Sequence, residues 1–228
     1  MNRIYRKILL RIFESRPFRW VMLDIIPYIR FSFYYTSFRG WKYQRGYAKL
    51  KPGHIILTND RWKFTSILIK GDKSHAALCV GKKGNGEILS AHLKSLYPTP
   101  LWLALQNGEF EVAEMTHTHF TPSTFYDLCH ESTRVEIYEC TDWDESYIPI
   151  VIQTCLSLRD KKYGLDAGPV FLHCSEMIPE SDPEHRLKVS NEDILGLGIL
   201  YVSPMGLSKA SNIRKVWDSR DEVPPCWE

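Results

Sequence analysis

Several things are missing from this chain, and each absence narrows the reading. Its six cysteines stand at 79, 129, 140, 155, 174 and 226. None is spaced as a Cys-x-x-Cys pair, which speaks against a zinc ribbon. Cys79 and Cys155 sit in apolar runs and read as small buried hydrophobes. No run of about 18 uncharged apolar residues occurs, because Asp24, Pro27 and Arg30 break the best candidate. A secretory signal is not expected either, since Arg11 interrupts the short apolar run from Ile8 to Phe13. The stretch Gly81-Lys82-Lys83-Gly84-Asn85-Gly86 lacks phosphate-loop spacing and reads as a hairpin turn. Internal repeats and low-complexity tracts are also missing. These absences lead us to expect a reduced, non-secreted protein without a spanning helix, placed in a cytoplasm or in a phage virion made in a host cytoplasm.

What is present fits a folded domain. With 228 residues the chain can bury one full core. Its 44% apolar and 25% charged content is ordinary for a globular protein. The net charge of +2 conceals an asymmetry. Residues 1–50 hold 11 Lys/Arg against 2 Asp/Glu, and the remainder holds 18 against 25. We therefore divide the chain into a basic, aromatic extension (1–49) and a body (50–228). The extension either docks on its own acidic body or meets an anionic partner such as a membrane, cell wall or virion. Nucleic acid is not the expected partner.

The pattern predicts helices at 2–14 and, kinked at Pro27, at 18–35. Residues 38–47 read as a connecting arm. Strands are expected at 55–58, 76–80, 88–92, 110–115 and 135–138, with a loop or short helix at 98–105. A helix at 122–129 takes Thr121 or Ser123 as its cap. Another at 145–158 has Tyr147, Ile150, Val151, Thr154, Cys155 and Leu158 on one face. Residues 163–169 read as a glycine-bearing loop. Ser190-Asn191-Glu192-Asp193 reads as a further helix start. Helices and an antiparallel sheet in separate blocks make the fold class α+β.

Two short strings carry chemistry. Ser-His-Ala-Ala-Leu-Cys-Val-Gly reads as a strand bearing His75, and Phe-Leu-His-Cys-Ser-Glu-Met-Ile as a loop opening into a helix (173–178) with Cys174 at its start, stopped by Pro179. A thiol becomes a nucleophile as a thiolate, and both a helix N-terminus and a nearby imidazole favour that form. Together the strings suggest a Cys-His hydrolase or acyltransferase with histidine before cysteine.

Four stretches resemble the circularly permuted papain-like enzymes, the YiiX type within the NlpC superfamily, whose permuted order the lecithin:retinol acyltransferase-like proteins share. They are Leu50-Lys51-Pro52-Gly53-His54-Ile55-Ile56-Leu57, Ser74 to Gly81, Val112-Ala113-Glu114-Met115, and His173-Cys174-Ser175-Glu176. Here His54 stands where the family has Asp, and an insertion at about 94–106 lengthens the stretch between His75 and Glu114. The resemblance implies a permuted papain-like domain with Cys174 as nucleophile, His75 as general base and Glu114 as the carboxylate orienting the imidazole. His117 and His119 remain rivals for that third role, which a second histidine fills in the acyltransferase-like relatives. Tyr163 and His173 are candidates for the substrate pocket, and Glu176 reads as structural.

A zinc site at His117-x-His119 with His130 or Glu114 is the weaker reading of those histidines. No metal and no organic cofactor is expected. The implied substrate is a peptide amide, with cell-wall peptides favoured, or an acyl group. Two other readings stay open: a lipid acyltransferase or phospholipase of the same fold, and a non-catalytic docking or assembly protein.

Overall fold

The computed structural model describes residues 11–12, 15–21, 40–59, 72–82, 109–116, 119–130, 132–163, 171–172, 174–193 and 200–222. The expected elements at 88–92 and 98–105, most of the helices at 2–14 and 18–35, the 94–106 insertion and all of the loop at 163–169 but its first residue lie outside these residues.

A six-stranded sheet organises the body, built from β1 (Ile55–Asn59), β2 (His75–Cys79), β3 (Val112–Met115), β4 (Phe120–Ser123), β5 (Arg134–Cys140) and β10 (Ile213–Asp218). Its order is β10-β5-β1-β2-β3-β4, and each neighbouring pair is antiparallel. Four two-residue strands complete the set among the described residues. The pair β6 (Lys162–Tyr163) and β7 (Phe171–Leu172) is parallel, and β8 (Glu192–Asp193) pairs antiparallel with β9 (Leu200–Tyr201). The fold is α+β, as the sequence indicates.

Side chains alternate across a strand, so each central strand feeds two cores. One core gathers Ile55, Leu57, Ala76, Leu78 and Met115 with Val151, Ile152, Met177 and Ile178. The other gathers Ile56, Ala77, Cys79, Val135 and Ile137 with Phe125, Leu128 and Trp217. Covered on both faces, β1 is buried at every position, which explains its unbroken Ile-Ile-Leu run. The turn before it needs a glycine. Gly53 has φ +83°, and a Cβ there would meet Ile148 at 2.9 Å.

The helices are α1 (Arg16–Trp20), α2 (Trp41–Lys49), α3 (Phe125–His130), α4 (Ile148–Ser157), α5 (Met177–Glu180) and α6 (Pro204–Leu207). Several depart from expectation. Residues 41–49 form a helix rather than an arm. Gly46 lets it approach Trp217, whose ring lies 3.0 Å from where a Cβ would sit. The Tyr47 hydroxyl donates to Glu111, and Lys82 Nζ donates to the Tyr47 carbonyl at 2.7 Å, closing the helix end.

Helix α3 starts at Phe125, because the preceding residues pair as β4 and Thr124 is the cap. Thr124 Oγ1 accepts from Asp127 N at 3.1 Å, and Asp127 faces back toward Thr124 N at 3.4 Å. Helix α4 buries Val151, Ile152, Cys155 and Leu156, while Ile150 is exposed. Residues 192–193 form a strand, not a helix start. The pairing with residues 200–201 supplies hydrogen bonds that the polar capping pattern would otherwise seek within a helix.

Candidate active site

His75 opens β2, and Glu114 lies on the adjacent strand opposite Ala77. Residues on one face of paired strands reach one another diagonally. His75 Nε2 accordingly sits 2.7 Å from Glu114 Oε2. With Nε2 committed to the carboxylate, Nδ1 is the ring nitrogen left for a further partner. The Cys174 side chain is near enough to His75 for each to shift the other's pKa. The fold thus joins three side chains separated by up to 99 positions in sequence.

Cys174 does not open a helix directly. Residues 174–176 form a turn, and α5 follows at Met177 with Pro179 inside it. Proline is tolerated there because the N–H groups of a first turn have no intrahelical partner. The sulfur therefore draws on nearer groups than a helix dipole. It is 5% exposed, packed in the first core. Burial pushes its pKa up, but the His75 charge, a hydrogen bond from His75 and the backbone N–H groups of Ala76 and Ser175 outweigh that and hold it below the usual thiol range. For His75 the signs reverse. Burial opposes the imidazolium, while the Cys174 charge and the hydrogen bonds to Cys174 and Glu114 outweigh it and raise the pKa. Both shifts favour a thiolate–imidazolium pair.

The remaining candidates fall around this centre. His119 is exposed at the start of β4, and its carbonyl accepts from Thr116 N. The backbone of Tyr163 pairs with Leu172, two residues before Cys174. His117 and His173 lie outside the described residues, which bears on the zinc reading too. Among the described residues no group of three His, Cys, Asp or Glu is arranged to hold a metal. His54 is 5% exposed, its Nδ1 takes the Lys51 N–H at 3.3 Å, and burial lowers its pKa to about 4. It is neutral at pH 7 and lies at the entry to β1.

The sequence does not single out Ser175, the Ala76 amide or Asp182. Asp182 is 1% exposed and accepts from Trp143 Nε1, Tyr147 Oη and Leu187 N at 3.2, 2.5 and 2.6 Å. It fastens the chain leaving α5 to the approach to α4. Its only sequence signal is the nearby aromatic pair, which any packed core also shows.

A family model described as permuted papain-like amidase enzyme, YaeF/YiiX, C92 family, matches residues 49–216. The chain belongs to this permuted papain-like amidase family. It is a cysteine hydrolase of amidase type. The match begins at the end of α2 and takes in the whole six-stranded sheet except the last two residues of β10. No curated protein and no solved structure matches the chain. No helix among the described residues is long and apolar enough to cross a membrane.

Proposed function

We propose that this amidase works through an acyl-enzyme on Cys174, with His75 as proton shuttle and Glu114 as the carboxylate that orients it. The Cys174 sulfur attacks an amide carbonyl and a C–S bond forms. His75 gives its proton to the departing nitrogen as the C–N bond breaks. Water then attacks the thioester, His75 takes its proton, and the thiolate leaves. The observation supporting this reading is the His75–Glu114 hydrogen bond, with Cys174 and His75 shifting each other's pKa toward the charged pair.

The favoured substrate class is a peptide amide such as those of bacterial cell walls. Release of amine from peptidoglycan fragments or model peptide amides tests this. Transfer to an acceptor without hydrolysis would instead support the acyltransferase or phospholipase reading.

Two predictions bear on the roles. Activity is expected to fall on the acid side as Cys174 is protonated and on the alkaline side as His75 loses its proton. Because Cys174 is lowered and His75 raised, the active plateau is expected to be wider than free thiol and imidazole would allow. A pH profile of kcat/KM checks this, and a single rise centred near an ordinary thiol pKa would contradict it. Glu114→Gln is expected to cut kcat/KM about 10²-fold, toward the low end of what acid–base groups contribute. It should also lower the alkaline limb, since the imidazolium loses its carboxylate. A variant as active as the parent, with His119→Ala inactive, would move the third role to His119.

We also infer that residues 1–49 attach the enzyme to an anionic surface. Thirteen of the chain's 29 aromatic residues lie in its first 50 positions, among the 11 basic ones. Ile12, Trp20 and Val21 are exposed apolar side chains within this stretch. Cations draw an anionic surface, and exposed tryptophan suits the interface of a bilayer. Removing residues 1–35 is expected to abolish sedimentation with anionic vesicles or cell-wall sacculi, and salt should weaken it in the intact protein. If the apolar residues are instead buried on the body, each is worth about 1.5–3 kcal/mol. The truncated chain would then melt many degrees lower, and the intact protein would show no salt-sensitive binding.

A further inference from the structure

Ser175 follows the nucleophile, is 2% exposed, and has no part in the chemistry above. Its backbone is covalently next to that of Cys174, in the same three-residue turn. Its hydroxyl donates to the Val202 carbonyl at 2.5 Å. Val202 is itself fixed, 5% exposed in the first core. The next residue, Ser203, caps α6 by accepting from Gly206 N at 2.8 Å. The turn carrying the sulfur is thus tied through one hydroxyl to a segment 27 residues away in sequence.

The geometry points to Ser175 as a positioning residue, whose hydroxyl holds the nucleophile turn against Val202 and so keeps the Cys174 sulfur in place beside His75. The inference rests on the proposed role of Cys174. Three residues of turn, 174–176, lead into α5. Without the anchor the turn is free to shift, and the thiolate loses its fixed position against the His75 charge. Among the described residues, the titratable groups acting on the sulfur are His75 from β2 and, through it, Glu114 from β3. Neither contacts Ser175 in the hydrogen bonds above, so its removal should act on the thiolate without disturbing the imidazole–carboxylate pair.

The experiment measures the pH dependence of Cys174 alkylation by iodoacetamide in the full chain, read site by site by mass spectrometry. Alkylation needs no substrate and follows the thiolate fraction. Ser175→Ala is expected to move the acid-side inflection up by about one unit and to slow alkylation about tenfold below it. The alkaline plateau should be unchanged. Ser175→Thr keeps the donor and is expected to restore the parental inflection. Should the alanine variant fail to fold, Ser175→Cys, with a weaker donor, is expected to show the same shift at smaller size. An unchanged inflection in the folded Ala or Cys variant, with only a lower melting temperature or a smaller labelled fraction, would overturn the proposal. Parental Cys174 no more reactive than the other cysteines would instead overturn the acyl-enzyme reading beneath it.

Discussion

Cys174→Ala is expected to lower amide hydrolysis by at least about 10⁴-fold, as loss of a covalent nucleophile does when the rest of the site survives. The same cysteine should be the first to react with a thiol probe at neutral pH, by roughly 10²-fold over its buried neighbours. The physical case lies in the contrast among the cysteines. Burial raises the Cys140 thiol to about 11 and the Cys155 thiol to about 12, and it pushes Cys79 and Cys129 further up. Cys174 is as buried as these, yet its pKa moves down, because the His75 charge and hydrogen bond outweigh the burial that wins at the others. Cys226 lies outside the described residues, so the comparison is best made in a Cys226→Ser background. Equal labelling of Cys174 and Cys155, or hydrolysis persisting in Cys174→Ala, would remove the thiol from the mechanism. Loss of activity with unchanged thermal stability would separate a chemical role from a structural one.

His75 and Cys174 were legible because each sits in a string whose residue types serve the chemistry directly. Glu114 was less so, since a carboxylate on a strand looks alike in sequence whether it meets solvent or an imidazole. The β2–β3 register decides between them by setting Glu114 opposite Ala77, one diagonal from His75. Tertiary contacts defeated the local reading elsewhere. Residues 38–47 look like a connector because their aromatic and basic residues show no clean apolar face. The docking of α2 depends instead on the missing side chain of Gly46 and on the Tyr47–Glu111 link, which bridges 64 positions. Ser190 to Asp193 carries a helix-start composition, but pairing with residues 200–201 wins over it. Helix α4 was found where expected but rotated, with Ile152 and Leu156 inward in place of Ile150.

The charged residues of β5 show the same limit, and they carry the largest stability prediction. Arg134, Glu136 and Tyr138 share one face by the two-residue period of a strand. In sequence that alternation suits a solvent-facing edge. In the fold Glu136 is 1% exposed. It accepts from Tyr138 Oη at 2.6 Å and Lys73 Nζ at 3.1 Å, pairs with Arg134, and lies 3.2 Å from Lys215 Nζ. Asp218 stands opposite it on β10 and takes Arg134 at 2.7 Å and Lys215 at 3.1 Å.

Glu136→Ala would leave Arg134 and Lys73 in the core with a carboxylate removed, which costs about 3–5 kcal/mol when a buried pair is broken from one side. We expect that loss in urea unfolding, with a smaller one for Glu136→Gln, which keeps an acceptor. The cluster should also make the fold acid-sensitive. Burial raises the Asp218 pKa, but the Arg220 amide, Lys215 and Arg134 outweigh it and hold it below the usual carboxylate range. A carboxylate lowered in the folded state contributes stability above its unfolded pKa and loses it as pH falls through the folded value. Stability should therefore drop below about pH 4, and less steeply in Asp218→Asn.

The activity consequence follows from position. Asp72 and Lys73, held by Arg134 and Glu136, lead directly into Ser74 and His75, and Ser74 N is bonded to Thr58 O at 2.9 Å. Loosening the cluster loosens the start of β2, so folded Glu136→Gln should lose kcat/KM while its Cys174 remains the most reactive thiol. A Glu136→Ala protein within about 1 kcal/mol of the parent would show that Asp218 alone balances the buried cations and that β2 needs no such anchor.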